Sequence, residues 1–275
     1  MAKIYDCFLF SNEIELLHLR LKLLSQYVDQ FVLLESPWSF HGKPKEMLFD
    51  KYKNEFDTSK IRHIVYEDLP HIGDVNGKRS RGKRNERFAR DCSLRGLTDA
   101  EPNDIIMLSD VDELPNMKVV LDNLYLLEDE NSHLLRNKNY PYLGLHMPMF
   151  YYYVDCLAIT RKPCVTTLVS KFKNFKKPSK MRKIRGENYI SDSGWHYSYL
   201  GGIRRIQEKL NIIGSVEKCI DKWRSEEHLA KCLAEGKDLF NRSNIKFKMV
   251  NPIEYGPKEL SDFLERYSYL QKGVK

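Results

Sequence analysis

Long apolar runs are missing from this 275-residue chain. The opening stretch Ile4 to Phe10 is too short, and too interrupted, for a signal peptide or a membrane span. That excludes a membrane-spanning class at this end, and the chain is expected to stay in the cytoplasm, at most peripheral to a membrane surface. Closely spaced cysteines are also lacking: Cys7, Cys92, Cys156, Cys164, Cys219 and Cys232 are scattered with no C-x-x-C pair. A chain of this length needs no covalent staples, so they read as reduced thiols filling the core. There is no internal repeat and no low-complexity linker, which favours a single domain over 1–275. Within it, 1–115, 116–240 and a helical tail at 241–275 are distinguished. What is present is ordinary for a globular protein, since 42% hydrophobic and 12% aromatic residues exclude a disordered chain.

The formal charge of +7 is concentrated. Residues 78–95 carry eight Lys/Arg, and Lys171 to Arg185 carry eight with no acid. Clusters of this kind suit anionic partners, among them nucleotide phosphates, a charged glycan, an anionic lipid headgroup or nucleic acid. A solvated loop face is the plain alternative for the second cluster.

Strand-like and helical stretches alternate in the first half of the chain. Apolar runs at 4–10, 30–35, 61–66 and 104–109 read as strands. A helix with leucines at core spacing follows Ser11-Asn12-Glu13, and a basic helix covers 80–97. The run Asp104-Ile105-Ile106-Met107-Leu108-Ser109 is nearly continuous, as in a strand covered on both faces of a parallel sheet. This pattern predicts an α/β fold with a doubly wound, mostly parallel sheet and helices on both faces. After Pro115, aromatic stretches predict a small mixed extension, and helices are expected at 203–213, 216–235 and 258–271. Polar residues follow every proposed strand: Ser11-Asn12, Glu35, Glu67-Asp68 and Asp110-Asp112. In open parallel sheets such strand ends form the ligand crevice.

Asp110-Val111-Asp112 at the mouth of a buried strand is the leading candidate for chemistry. One carboxylate of such a pair meets a hard cation directly while the other works through water or a nucleotide ribose, and the cation neutralises a diphosphate leaving group. The plain alternative is an acidic turn capping the next helix. His196, in Gly194-Trp195-His196, suits a supplementary ligand to Mn²⁺ better than to Mg²⁺, or else a hydrogen-bonded core histidine.

Several ordered blocks resemble glycosyltransferase family 17. They are Tyr5-Asp6-Cys7-Phe8-Leu9-Phe10-Ser11-Asn12-Glu13, Val32-Leu33-Leu34-Glu35-Ser36 with Gly42-Lys43-Pro44, Asp104 through Pro115, and Gly194-Trp195-His196-Tyr197-Ser198-Tyr199-Leu200-Gly201-Gly202. The resemblance covers most of residues 4–240. It implies a GT-A fold, a UDP-sugar donor, transfer of N-acetylglucosamine and inversion at the anomeric carbon. It also implies Asp110, Asp112 and His196 as the metal and diphosphate ligands, with Phe10, Asn12, Glu35 and Asp68 lining the nucleotide pocket. Golgi members of the family carry an amino-terminal anchor that is not seen here, so the expected acceptor is another glycan. The basic segment Lys171 to Arg185, between the metal strand and the Trp195-His196 block, is expected beside the acceptor groove of the 116–240 half, which favours an anionic or membrane-anchored acceptor. The nucleotide-sugar-binding half is then 1–115.

Arg87 and Arg90, at i and i+3 on the basic helix, are placed to reach phosphates. Inversion needs a carboxylate base for the acceptor proton; Glu113 and Asp192 are the candidates, with Asp155 and Glu187 behind them. Trp195, Tyr197 and Trp38 offer apolar platforms for a sugar face. Two competing classes remain. A nucleotidyltransferase uses a similar sheet, but keeps a Gly-rich loop where this chain has Ser11-Asn12-Glu13. A non-catalytic glycan- or nucleic-acid-binding module would use the basic clusters with Phe172, Phe175 and Tyr189 interleaved; nucleic acid is the less expected partner.

Overall fold

A computed structural model describes residues 2–72, 79–213 and 221–273. The chain opens with β1 (Ile4–Leu9), α1 (Ile14–Leu24), β2 (Gln30–Glu35), the short α2 (Phe49–Tyr52) and β3 (Ile61–Val65). Then come α3 (Arg79–Asp91), β4 (Ile105–Asp110), β5 (Glu113–Pro115) and α4 (Met117–Asp122). The next stretch holds β6 (Tyr142–His146), β7 (Met149–Tyr151), β8 (Cys156–Thr160), β9 (Val165–Lys171), α5 (Pro178–Ile184), β10 (Tyr189–Ile190) and β11 (Gly194–Ser198). The remainder is α6 (Gly202–Ile212), α7 (Asp221–Arg224), α8 (Glu226–Glu235), β12 (Ile245–Met249), α9 (Pro252–Tyr255) and α10 (Leu260–Arg266).

Seven strands form the central sheet in the order β10-β6-β9-β4-β1-β2-β3. The strands β4, β1, β2 and β3 run parallel, while β9 is antiparallel to both of its neighbours. Alternate residues of each central strand feed two separate cores. Phe8, Leu33 and Met107 face the cluster holding α1, α4 and α10. Cys7, Val32, Leu34, Ile106 and Leu108 face Ala89, Cys92 and Met181 of the α3 and α5 side. Burial on both faces explains why these strands read as unbroken apolar runs rather than as alternation. The expected α/β class with helices on both faces is what the chain adopts.

A second sheet, β12-β8-β7-β11-β5, is the small mixed extension. Its outer face packs Tyr151, Tyr152 and Tyr199 against Ile206, Leu210 and Leu229 of α6 and α8. Three boundaries differ from the sequence reading. The basic helix ends at Asp91 and tightens into a 3₁₀ turn over Cys92–Gly96. The helix expected at 216–235 falls partly on residues 214–220, outside the described residues together with Cys219; the described remainder breaks at Ser225, whose side chain caps α8 by accepting from His228 N. The tail expected to be helical contributes β12, which pairs with β8. Among the described residues, no helix is long and apolar enough to cross a membrane.

The two sheets meet where the chain leaves β4. Asp110 ends the central sheet opposite Leu9 of β1. Three residues later the chain enters β5 of the second sheet, where Glu113 lies opposite His196 of β11. Gly194 permits that approach, because a Cβ there would sit 2.3 Å from the Leu114 carbonyl oxygen.

Candidate functional site

A buried arginine fixes the turn that carries the acidic residues. Arg20, on the inner face of α1 and wholly buried, is held by both carboxylate oxygens of Asp6 and by Ser109 Oγ. It donates further to the carbonyls of Asp110 (3.1 Å) and Glu113 (2.8 Å). From the other side, Tyr197 N donates to the Asp112 carbonyl and Val111 N to that of Leu9. The backbone from 110 to 113 is therefore tied to β1, α1 and β11 before any ligand arrives.

The carboxylates of this turn have different partners. Asp110 accepts from Arg90 Nη1 (2.6 Å) and Arg182 Nη2 (3.1 Å). Burial alone would raise its pKa, but Arg90 and Arg182 hold it well below the usual carboxylate range. Asp112 accepts from Lys209 Nζ, and His196 Nε2 stands 3.7 Å away. Against the cost of burial, Lys209 and His196 keep Asp112 ionised, while Asp112 in turn raises both cations above their ordinary values. Glu113 is gripped by both terminal nitrogens of Arg182 and also accepts from the Asp110 N–H. One ligand atom from each of Asp112, Glu113 and His196 falls within 4.8 Å of the others. Carboxylate oxygens with one imidazole nitrogen are a donor set that Mn²⁺ accepts. Asp110, turned to two arginines, is the less available of the acid pair.

Two cavities adjoin this cluster. One, of about 260 Å³, lies over the ends of β1 and β2, with Phe10, Trp38, Phe40 and Tyr66 as apolar walls and Asn12, Lys45 and Lys209 as polar ones. Ser11 Oγ on its rim is buried without a hydrogen-bond partner among the described residues. The other, of about 400 Å³, lies between α3 and α5 and is strongly basic. Glu86, Arg90, Asp110, Glu113 and His196 line both.

The expected residues are thus brought together only in part. Phe10, Asn12, Arg90, Asp110, Asp112, Glu113 and His196 line the first cavity, and Arg87 lines the second. Asp68 is elsewhere: it is exposed beyond the edge strand β3 and pairs bidentately with Arg95. Glu35 is buried behind the cavity wall, where it accepts from the N–H groups of Leu48 and Phe49 and lies 3.7 Å from Lys45, itself a lining residue. Asp192 is an exposed turn residue with φ 51° and lines neither cavity. Asp155 is buried and accepts from the N–H groups of Lys272 and Gly273, while Glu187 is exposed.

Trp38 is in the first cavity, but Tyr197 stacks on Phe150 in the core and the Trp195 ring nitrogen donates to the Tyr255 carbonyl. Phe175 is buried and Phe172 packs on the same core, so the second basic segment presents no ladder of exposed rings. Contributors that were not anticipated include Arg20, Phe40, Lys45, Tyr66, Glu86, Arg182 and Lys209. Glu86 and Arg90 do form an i, i+4 pair on α3, which is a readable pattern.

The model of the family described as glycosyltransferase family 17 matches residues 1–262. The chain belongs to that family. Among curated proteins it is similar to β-1,4-mannosyl-glycoprotein 4-β-N-acetylglucosaminyltransferase of Homo sapiens, at 28% identity over 121 residues, covering 40% of this chain and 21% of the relative. The Rattus norvegicus protein of the same name matches equally at 28%, and that of Mus musculus at 27%, with the same coverage. The chain thus spans about a fifth of the length of these relatives. Among solved structures, a glucose-1-phosphate thymidylyltransferase from Bacillus anthracis, in complex with sucrose, aligns over 71% of this chain and 88% of its own. That alignment has 9% identity and a TM-score of 0.33.

Proposed function

We propose that this family 17 chain is a metal-dependent, inverting glycosyltransferase of GT-A type that moves a sugar, N-acetylglucosamine in our reading, from UDP to a hydroxyl of a glycan acceptor. The observation that carries the reading is that Asp110 and Asp112, at the carboxyl end of the parallel strand β4, line a cavity with aromatic walls together with His196 of β11. Ligands of open α/β sheets bind at such ends.

In this reading Phe10, Trp38, Phe40 and Tyr66 enclose the nucleoside, and Lys45 and Arg90 face the diphosphate. Asp112 and His196, with Glu113 beside them, would hold the divalent ion. That ion, when bound, neutralises charge on the diphosphate leaving group. Asp110, kept ionised by Arg90 and Arg182, offers a fixed acceptor to the ribose.

A base must take the acceptor proton while the hydroxyl oxygen bonds to the anomeric carbon and the bond to the diphosphate breaks on the opposite face. Glu113, clamped by Arg182, is poorly suited, and Asp192 lies outside both cavities. Glu86 lines both cavities and, among the described residues, is tied at one oxygen only, to Arg90 Nη2 at 3.0 Å. We therefore assign it the proton.

Thermal denaturation with nucleotides tests the donor. UDP with Mn²⁺ at about 100 times its dissociation constant should add about 2.7 kcal/mol of stability, and far less without the metal. Equal protection by ATP and UDP would argue against a dedicated uridine pocket.

A further inference from the structure

The basic cavity between α3 and α5 carries positive charge at Arg87, Lys183 and Arg185 that no described carboxylate neutralises. Its acids, Glu86, Asp110 and Glu113, are already bonded to Arg90 and Arg182. Arg87, Lys183 and Arg185 also line it. Among the described residues Arg87 and Lys183 make no ion pair. Arg185 is half-buried at the end of α5, and its guanidinium donates only to carbonyls, those of Val165 (2.6 Å) and Arg182. Burial, and then the like charge of Arg182, pull its pKa below the ordinary value. A cation crowded this way is relieved by an anion.

The contrast within the same basic segment is informative. Lys171 and Lys173, at its start, are matched by Glu128 and Asp129, and Arg182 by Asp110 and Glu113, whereas Lys183 and Arg185, which also face the cavity, have no carboxylate partner among the described residues. The segment is therefore not one solvated face.

The location of the cavity narrows the ligand. It shares the wall formed by Glu86, Asp110 and His196 with the donor cavity, yet no Phe, Tyr or Trp lines it, so it offers a nucleoside no broad apolar wall. The two cavities meet at that wall, which also holds the assigned base, Glu86. Resting on the transferase reading above, we infer that this cavity is the acceptor subsite and that the acceptor glycan carries an anionic group, a phosphate ester or a uronate carboxylate, close to its reacting hydroxyl. Arginine forks recognise both oxyanions.

The test is equilibrium binding to the UDP- and Mn²⁺-saturated protein of four probes: methyl glucoside, methyl glucoside 6-phosphate, methyl glucuronide and inorganic phosphate. At low salt at least one charged glycoside should bind about tenfold or more tighter than the neutral one. Which of the two wins identifies the oxyanion. The preference should shrink in 0.5 M NaCl and be lost in the double variant Lys183→Gln, Arg185→Gln, with UDP affinity retained. If the double variant does not fold, Lys183→Gln alone, on the exposed side of α5, should still lower the charge preference about threefold or more.

Equal affinity for neutral and charged glycosides overturns the proposal, and so does inorganic phosphate binding as tightly as the sugar phosphate. A parallel loss of UDP affinity in the variants overturns it by assigning these cations to the diphosphate. If the wild-type protein bound no UDP, the transferase reading would fall as well. UDP binding without charge preference removes only the acceptor proposal.

Discussion

Replacing Arg20 by methionine should be among the most damaging single changes outside the cavities. The side chain is fully buried and is held by both Asp6 oxygens and by Ser109 Oγ, with its charge over the Phe8 ring at 4.4 Å from the centroid. Methionine fills much of the volume but leaves the Asp6 carboxylate, also fully buried, without its counter-ion. Breaking a buried pair from one side costs about 3–5 kcal/mol. For a chain of this size each kcal/mol moves the melting temperature by roughly 2 °C, giving a fall of about 6–10 °C. The carbonyls of Asp110 and Glu113 lose their donor at the same time, so UDP affinity should fall beyond what the stability loss explains. The double variant Arg20→Met, Asp6→Leu should recover part of the stability, since most of the cost is the stranded charge. Thermal and urea denaturation followed by circular dichroism, with UDP titrations below the transition, read both effects. A single variant that melts within 2 °C of wild type, or a double variant no better than the single, would refute the clamp.

Two further substitutions separate binding from chemistry. Asp112→Ala removes a ligand atom from the Asp112, Glu113 and His196 cluster, so Mn²⁺ binding by titration calorimetry should be lost. The melting temperature should also fall, because buried Asp112 pairs with His196 and Lys209 and only Lys209 keeps a second carboxylate, Glu13 at 3.3 Å. Wild-type Mn²⁺ affinity in the variant would contradict the ligand assignment. Glu86→Gln should lower sugar transfer by about 10²- to 10⁴-fold with UDP affinity nearly unchanged, and full transfer activity in this variant would return the search for the base to other carboxylates.

The sheet was legible because its strands are buried on both faces. Four apolar runs with polar residues behind them gave the parallel core, and β2 spans the expected Gln30–Glu35. The second sheet was less legible, although Ile245-Lys246-Phe247-Lys248-Met249 alternates in the manner of a strand with one wet face, and it is indeed β12. Phe10, Asn12, Asp110 and Asp112, at or just past the ends of β1 and β4, line the first cavity because the backbone itself delivers them there. Asp68 and Glu35 show where strand-end reasoning stops. Nearness to a strand end does not set the direction of a side chain, and Arg95 and the Leu48 and Phe49 N–H groups draw these two elsewhere. Arg182 and Lys209 could not be read at all. They reach Glu113 and Asp112 across 69 and 97 residues of sequence, and no local pattern marks a helix residue for such a contact.

The most direct test of the account is release of UDP from UDP-N-acetylglucosamine, since a transferase slowly passes its sugar to water when no acceptor is present. The account predicts release with Mn²⁺ that stops in excess EDTA and in Asp112→Ala. Turnover that persists in EDTA would contradict the metal-dependent mechanism. Absence of any UDP-sugar turnover, together with pyrophosphate release from a nucleoside triphosphate and a sugar 1-phosphate, would contradict the transferase itself.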